Sequence, residues 1–208
     1  MKLVLITNRK LVTDKNYFNV IEQAISGGID AIILREKDLS SDILLEIAIE
    51  IKRIIAGRPV LLIINNNLEV VKTIQADGYH TGFNNFIQQS SKMEGWNGVS
   101  VHSLGEAITA AKHGASYLLV SHIFATDCKQ GLKPMGIELI KDIKSYVNIP
   151  VIALGGINPV NSGQVLAAGA DGIAVMSYIM QADDPYRSSK LLKEGFKMRC
   201  DGLMEKRL

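Results

Sequence analysis

Cysteine is nearly missing from this chain. The 208 residues contain two, Cys128 and Cys200, at a separation that suits neither a zinc motif nor a disulfide framework, so no metal or disulfide scaffold follows and a reducing compartment is expected. Charge of one sign is also lacking. Lys+Arg of 23 against Asp+Glu of 21 leaves a formal net charge of +2, and the cations are scattered. Neither a nucleic-acid stripe nor a polybasic membrane patch is indicated, so an acidic substrate must be held locally, by a site. Long apolar runs are absent: none reaches the roughly 18 residues of a membrane span. The opening from Met1 to Thr7 is too short for a signal-peptide core, and the expected location is cytoplasmic. Aromatics are scarce, at 6%, within a hydrophobic share of 47%. That share is enough for one largely aliphatic core and a single domain over 1–208.

What the chain does have is short apolar runs, each followed by a polar turn and a longer segment with helical spacing. This alternation predicts a parallel sheet. The predicted strands are Leu3 to Thr7, Ala31 to Arg35, Val60 to Asn65, Gly78 to His80, Gly98 to His102, Tyr117 to Val120, Val151 to Gly155 and Gly172 to Met176. Eight such strands make a closed (β/α)8 TIM barrel of the α/β class the expected fold. An open doubly wound sheet is the competing architecture, but no G-x-G-x-x-G follows the first strand. Helices are predicted over Tyr17 to Ser26, Ser41 to Ile55, Glu69 to Gln75, Leu104 to His113, Ile137 to Tyr146, Val160 to Ala168 and about Pro185 to Glu205. In the second, Ile43, Leu44, Ile47, Ile51, Ile54 and Ile55 recur at three- and four-residue intervals and define an apolar face for the sheet. Ser40 or Ser41 is its expected N-cap, with Gly57 its stop. The polar stretch from Phe83 to Trp96 reads as a long loop, with one helical turn the most it holds.

In such a barrel the chemistry lies at the C-terminal ends of the strands, and those ends are polar here. Arg35 and Lys37, two apart on an extended segment, share a face and can both point at an anion. Asn65 ends strand three. Gly155-Gly156 after strand seven and Met176-Ser177 after strand eight form the expected phosphate cradle, because glycine lets backbone N–H groups approach an anion. His80, His102 and His122 end three other strands. Imidazoles from several strands could converge on a metal, but no carboxylate accompanies them at a strand end, and no metal site is assigned.

Leu34-Arg35-Glu36-Lys37-Asp38, Ser100-Val101-His102-Ser103, the stretch from Phe124 to Lys129, Pro150 to Ile157 and Gly172 to Ser177 together resemble the thiamine phosphate synthase/TenI superfamily, in order over nearly the whole chain. The resemblance implies a (β/α)8 fold and one of two activities. The synthase branch joins a pyrimidine diphosphate to a thiazole phosphate using magnesium. Its pattern has Asn-Asp-Arg after strand three, where this chain reads Asn65, Asn66 and Asn67. It has a further Asp after strand four, where this chain has Asn85, and a Gln where Ile33 stands. Both metal-binding carboxylates are thus amides, poor partners for a cation whose dehydration needs carboxylate charge.

The segment from Ser121 to Leu132 is similar instead to the TenI branch, a thiazole tautomerase that moves one proton without a metal. On that resemblance the expected activity is an isomerase acting on a thiazole phosphate, with no cofactor. His122 is the expected proton shuttle and His102 its rival, since imidazole accepts and donates near neutral pH. Arg35, Lys37, Asn65, Thr126 and Lys129 still match the synthase branch. A thiamine phosphate synthase with an altered metal site is therefore the alternative, and a non-catalytic thiazole phosphate-binding protein the second. Whether copies associate through the outer helices as a homo-oligomer is left open.

Overall fold

Eight parallel strands pair in chain order, and the last returns to the first. They are Leu3–Ile6 (β1), Ala31–Leu34 (β2), Leu61–Asn65 (β3), Gly78–Gly82 (β4), Trp96–Val101 (β5), Tyr117–Ser121 (β6), Val151–Leu154 (β7) and Gly172–Val175 (β8). The ring closes through Leu3 against Ile173, Val4 against Ala174 and Leu5 against Val175. The structure is a computed structural model that describes residues 2–13, 15–89, 93–129 and 131–204. Between the strands lie Tyr17–Ser26 (α1), Ser41–Ile55 (α2), Leu68–Ile74 (α3), Phe83–Gln88 (α4), Leu104–Lys112 (α5), Glu138–Tyr146 (α6), Ser162–Ala167 (α7), Ser177–Met180 (α8) and Pro185–Met204 (α9).

Alternation along each strand sorts the side chains into two cores. Val4, Ile6, Ala31, Ile33, Ile63, Tyr117, Leu119, Ile152 and Ala174 fill the barrel interior. Their neighbours Leu3, Leu5, Ile32, Leu34, Leu62, Ile64, Leu118 and Val120 face outward into the layer of helices. The interior is largely aliphatic, so its one long occupant shapes it. Tyr117 is fully buried and reaches across to β4, where its hydroxyl meets His80 Nδ1 at 3.0 Å. Gly98 makes room for it: a Cβ there would sit 2.1 Å from Tyr117 Cζ.

The (β/α)8 fold matches the sequence expectation, and the departures are local. β4 runs on to Gly82, and the polar stretch that was expected to be a loop folds the six-residue α4 before β5 begins at Trp96. Its anchor is Phe86, 5% exposed, too little apolar signal for periodicity to register among Asn84, Asn85 and Gln88. The α8 turn was not anticipated, since four residues carry no period. Helix α7 starts at Ser162 rather than at Val160, which is 90% exposed. The predicted end of the last helix at Glu205 lies outside the described residues. Ser40 is the N-cap of α2, its Oγ accepting from Ile43 N.

Replacing Gly98 by Ala forces a methyl into the Tyr117 ring. The expected cost is about 1–3 kcal/mol, the usual range for overpacking, measured as a lower urea midpoint. Tyr117→Leu in the same chain removes the clashing ring atoms and should recover part of that loss, giving a favourable coupling in the double-mutant cycle.

Candidate active site

The C-terminal ends of the strands surround a cavity of about 760 Å³. Every residue singled out at the strand ends from the sequence lines it: His102, His122, Arg35, Lys37, Asn65, Thr126, Lys129, Gly155, Gly156, Met176 and Ser177. Asn66, Asn85, Ser100, Glu106, Cys128 and Tyr178 line it as well.

Arg35 to Asp38 explains how two cations are aimed into this space. β2 ends at Leu34, and Lys37 and Asp38 lie in a turn rather than on the extended segment expected, yet Arg35 and Lys37 both line the cavity while Glu36 and Asp38 meet Arg9 in the loop after β1. The Glu36 side chain is 1% exposed. Both its oxygens accept from the backbone N–H of Arg9 at 3.1 Å, and Oε1 also accepts from the Tyr17 hydroxyl at 3.0 Å. Arg9 closes the tie with a two-pronged pair to Asp38, both contacts 2.8 Å. Its guanidinium, with Lys10 beside it, holds the Asp38 carboxyl well below the usual carboxylate range. Thr7 Oγ1 accepts from Arg35 N at 3.0 Å and fixes the end of β2. Glu36 and Asp38 were not assigned a role from the sequence. The alternating signs of Arg-Glu-Lys-Asp directly after an apolar run were the signal available.

The cations that face the cavity are not neutralised in this way. Among the described residues no side-chain ion pair or hydrogen bond engages Arg35, Lys37 or Lys129. Burial depresses the Arg35 pKa, and the Lys37 pKa is depressed chiefly by the charge of Arg35, then by burial and by Lys129. Three like charges therefore share one space. Lys129 comes from the Asp127–Lys129 turn after β6.

Gly155 and Gly156, with φ of +107° and +64°, carry the loop after β7 beneath the loop after β6. A Cβ at 155 would lie 2.4 Å from His122 Cβ, and one at 156 would lie 2.4 Å from the Ala125 carbonyl oxygen. Asn161 Nδ2 donates to the Gly156 carbonyl at 2.8 Å and steadies the turn. The two glycines are thus required by close packing, whatever they bind.

The three strand-end histidines have different fates. His80 is buried between Tyr117 and Ser100, with Nε2 2.8 Å from Ser100 Oγ. Burial, followed by the charge of Arg35, pushes its pKa down to about 3, so it stays neutral. His102 Nδ1 donates to the Ser121 carbonyl at 2.6 Å, and its backbone N–H donates to Glu106 Oε2 at 2.7 Å. His122 Nε2 donates to the Leu132 carbonyl at 3.3 Å and pins the loop that follows. Glu106 escaped the sequence reading. Its spacing from Ser103, whose Oγ accepts from Glu106 N at 3.2 Å, is a capping-box pattern that could have flagged it.

Magnesium, which the synthase resemblance implies, does not fit this donor set. Asn66 and Asn85 line the cavity as amides, and Glu106 is the single carboxylate lining it among the described residues. Asn66 Oδ1 already accepts from Thr81 Oγ1. No cluster of three His, Cys, Asp or Glu suited to a metal ion occurs among the described residues.

A (β/α)8 barrel with its cavity at the carboxyl ends of the strands is an enzyme architecture in which the loops after strands seven and eight frequently form a phosphate site. The chain belongs to the TMP-TENI family, described as "Thiamine monophosphate synthase", whose sequence profile matches residues 3–179. It is 38% identical over 185 residues to the thiamine-phosphate synthase of Clostridium acetobutylicum, covering 87% of this chain and 88% of that protein. It is 37% identical over 196 residues to the thiamine-phosphate synthase of Chloroflexus aurantiacus, covering 92% and 91%. Among solved structures, the thiamine phosphate pyrophosphorylase of Pyrococcus furiosus superposes with a TM-score of 0.82 at 31% identity, covering 95% of this chain and 96% of that one.

These relatives correct the expected activity. They are synthases, which are transferases, and the expectation of a thiazole tautomerase, an isomerase, is overturned. The expected TenI branch rested on the sequence from Ser121 to Leu132 and on the amides that stand where the synthase pattern has metal-binding carboxylates, and in the structure that loop has a scaffolding reason for its histidine: the His122 ring N–H holds the Leu132 carbonyl. No helix among the described residues is long and apolar enough to cross a membrane.

The neutrality of His80 predicts a pH effect on stability. Its folded pKa of about 3 lies below the ordinary 6.5, so the unfolded chain binds a proton that the folded chain refuses. Stability from this source is present above about pH 6.5 and is lost as pH falls toward 3. In urea unfolding across that window, a His80→Gln variant should lose stability less steeply than the unaltered protein. Equal slopes would mean that His80 is charged inside the barrel.

Proposed function

We propose that this protein is a transferase of the thiamine-phosphate synthase class, which condenses a pyrimidine methyl diphosphate with a thiazole phosphate and releases diphosphate. The observation that carries the reading is that one cavity is lined on two sides by groups suited to anions. One is cationic and built from Arg35, Lys37 and Lys129. The other is built from the Gly155-Gly156 turn with Met176 and Ser177. An isomerase acting on one monophosphate has use for a single such surface. A reaction that joins a diphosphate to a monophosphate needs both. The relatives that are 37–38% identical over most of the chain support the same reading.

The chemistry that these residues have to serve is a substitution at carbon. The bond between the pyrimidine methylene carbon and the diphosphate oxygen breaks, with its electron pair leaving on oxygen. The lone pair of the thiazole ring nitrogen forms the new carbon–nitrogen bond. Negative charge grows on the leaving oxygen, and preorganised cations facing it stabilise that change more than they stabilise the bound substrate. Arg35, Lys37 and Lys129 are assigned to the diphosphate. Gly155, Gly156, Met176 and Ser177 are assigned to the thiazole phosphate, with Asn65 and Thr126 lining the space between the reacting rings. His102 and His122 hold the ends of β5 and β6 through their carbonyl contacts, and proton transfer is not asked of them.

The test is a condensation assay that follows the joined product by mass spectrometry and diphosphate by a coupled colour reaction. Product and diphosphate should appear in equal amounts. Lys37→Ala removes a charge-assisted contact and should lower kcat/KM for the diphosphate substrate roughly ten- to hundredfold, with little change in the urea midpoint because Lys37 is exposed. Absence of product with correctly folded protein would refute the synthase reading.

A further inference from the structure

The cavity gives a divalent cation little to bind, yet the proposed reaction expels a highly charged anion. The residues in place of the metal pattern indicate how that charge is met. Asn66 sits just past β3 with a φ of +56°, its backbone N–H bonded to the His80 carbonyl at 3.0 Å. Its side-chain oxygen accepts from Thr81 Oγ1, and Thr81 is fully buried. The acceptor end of the amide is thereby committed to the barrel wall. Its Nδ2 has no partner among the described residues, and Asn66 lines the cavity. A carboxylate here would present a lone pair to a cation. The amide as held here keeps N–H donors for an anion.

The three cations complete the picture. All three line the cavity, and the charges of Arg35 and Lys129 both lower the Lys37 pKa. Against them, among the described residues, stand one cavity carboxylate, Glu106, whose Oε2 is engaged by His102 N, and Glu36, whose charge acts on Arg35 from outside the cavity. Such a surplus of like charge is costly in the free protein and is relieved when a polyanion enters.

We propose that this cavity binds diphosphate directly, through Arg35, Lys37, Lys129 and the Asn66 amide donor, and that its reaction needs no divalent cation. The binding claim stands on the geometry, and the claim about the reaction rests on the synthase reading above. Asn66 then contacts the leaving group itself, a role opposite in sign to that of a metal-ligating carboxylate.

The experiment uses the full chain freed of metals with EDTA and inorganic pyrophosphate as the probe, with titration calorimetry in EDTA and with magnesium at matched free pyrophosphate. Affinity should agree within about twofold between the two conditions. Asn66→Asp places an anion where the donor stood. It should weaken binding in EDTA by roughly tenfold or more, and magnesium should restore much of that loss. Aspartate tolerates the left-handed backbone of this position. If the variant nevertheless misfolds, Asn66→Gly, which suits the same φ, deletes the donor and should also weaken binding without creating any response to magnesium.

Binding by the unaltered protein that requires magnesium, or that magnesium strengthens more than about tenfold, would overturn the proposal. In the condensation assay, equal rates in EDTA and in magnesium support both claims. Product only with magnesium overturns the claim about the reaction and leaves the synthase reading standing. No product in either condition, with metal-independent pyrophosphate binding, removes the synthase reading while the diphosphate site survives.

Discussion

The closed parallel register is the constraint on which everything at the cavity depends. With β8 locked to β1 through Val4 and Ala174, each strand has a fixed inside and outside, and no strand can slip by one residue without inverting both cores. The turn that follows β2 keeps two sides apart in the same way. It sends Arg35 and Lys37 into the cavity and Glu36 and Asp38 toward the loop after β1, where Arg9 and Tyr17 receive them. A buried carboxylate with four donor contacts on one side is what allows two cations to stand without partners on the other.

That arrangement separates stability from function spatially. Hydrogen-bonded charge accumulates around Arg9, Glu36 and Asp38, where the geometry is satisfied and the carboxyl of Asp38 is held ionised. Unsatisfied charge accumulates a few ångströms along the same segment. The barrel interior makes the opposite choice with His80, which keeps its hydrogen bonds to Tyr117 and Ser100 by giving up its charge. One imidazole in the wall therefore adds polarity but no further repulsion to a cavity that already holds three cations.

Much of this was legible in the sequence, for identifiable reasons. The strands were visible because parallel strands buried on both faces read as aliphatic runs, and α2 because fifteen residues carry four turns of period. Helix α4 was hidden because Phe86 supplies most of its apolar signal, and α8 because four residues have no period at all. The strand-end residues were found because polarity after an apolar run is conspicuous; all of them reached the cavity. The activity was misjudged for a different reason. A histidine at a strand end is chemically competent for proton transfer, and nothing in sequence shows that its ring N–H is already committed to a carbonyl ten residues away. The local match around His122, together with the amides at 66 and 85, therefore decided between two branches that the wider resemblance covers alike, and the relatives bear out the superfamily with the synthase name.

The paired glycines after β7 have a mechanical meaning beyond any ligand. Because positions 155 and 156 lie against the backbone at His122 and Ala125, a side chain at either would lift the start of the loop after β6, and Thr126 and Lys129 ride on that same loop. Two walls of the cavity, far apart in sequence, thus turn on one line of contact. A drift in either glycine would be felt first as a displaced lysine on the neighbouring wall, so selection on the charge of one loop also preserves the bare backbone of the other.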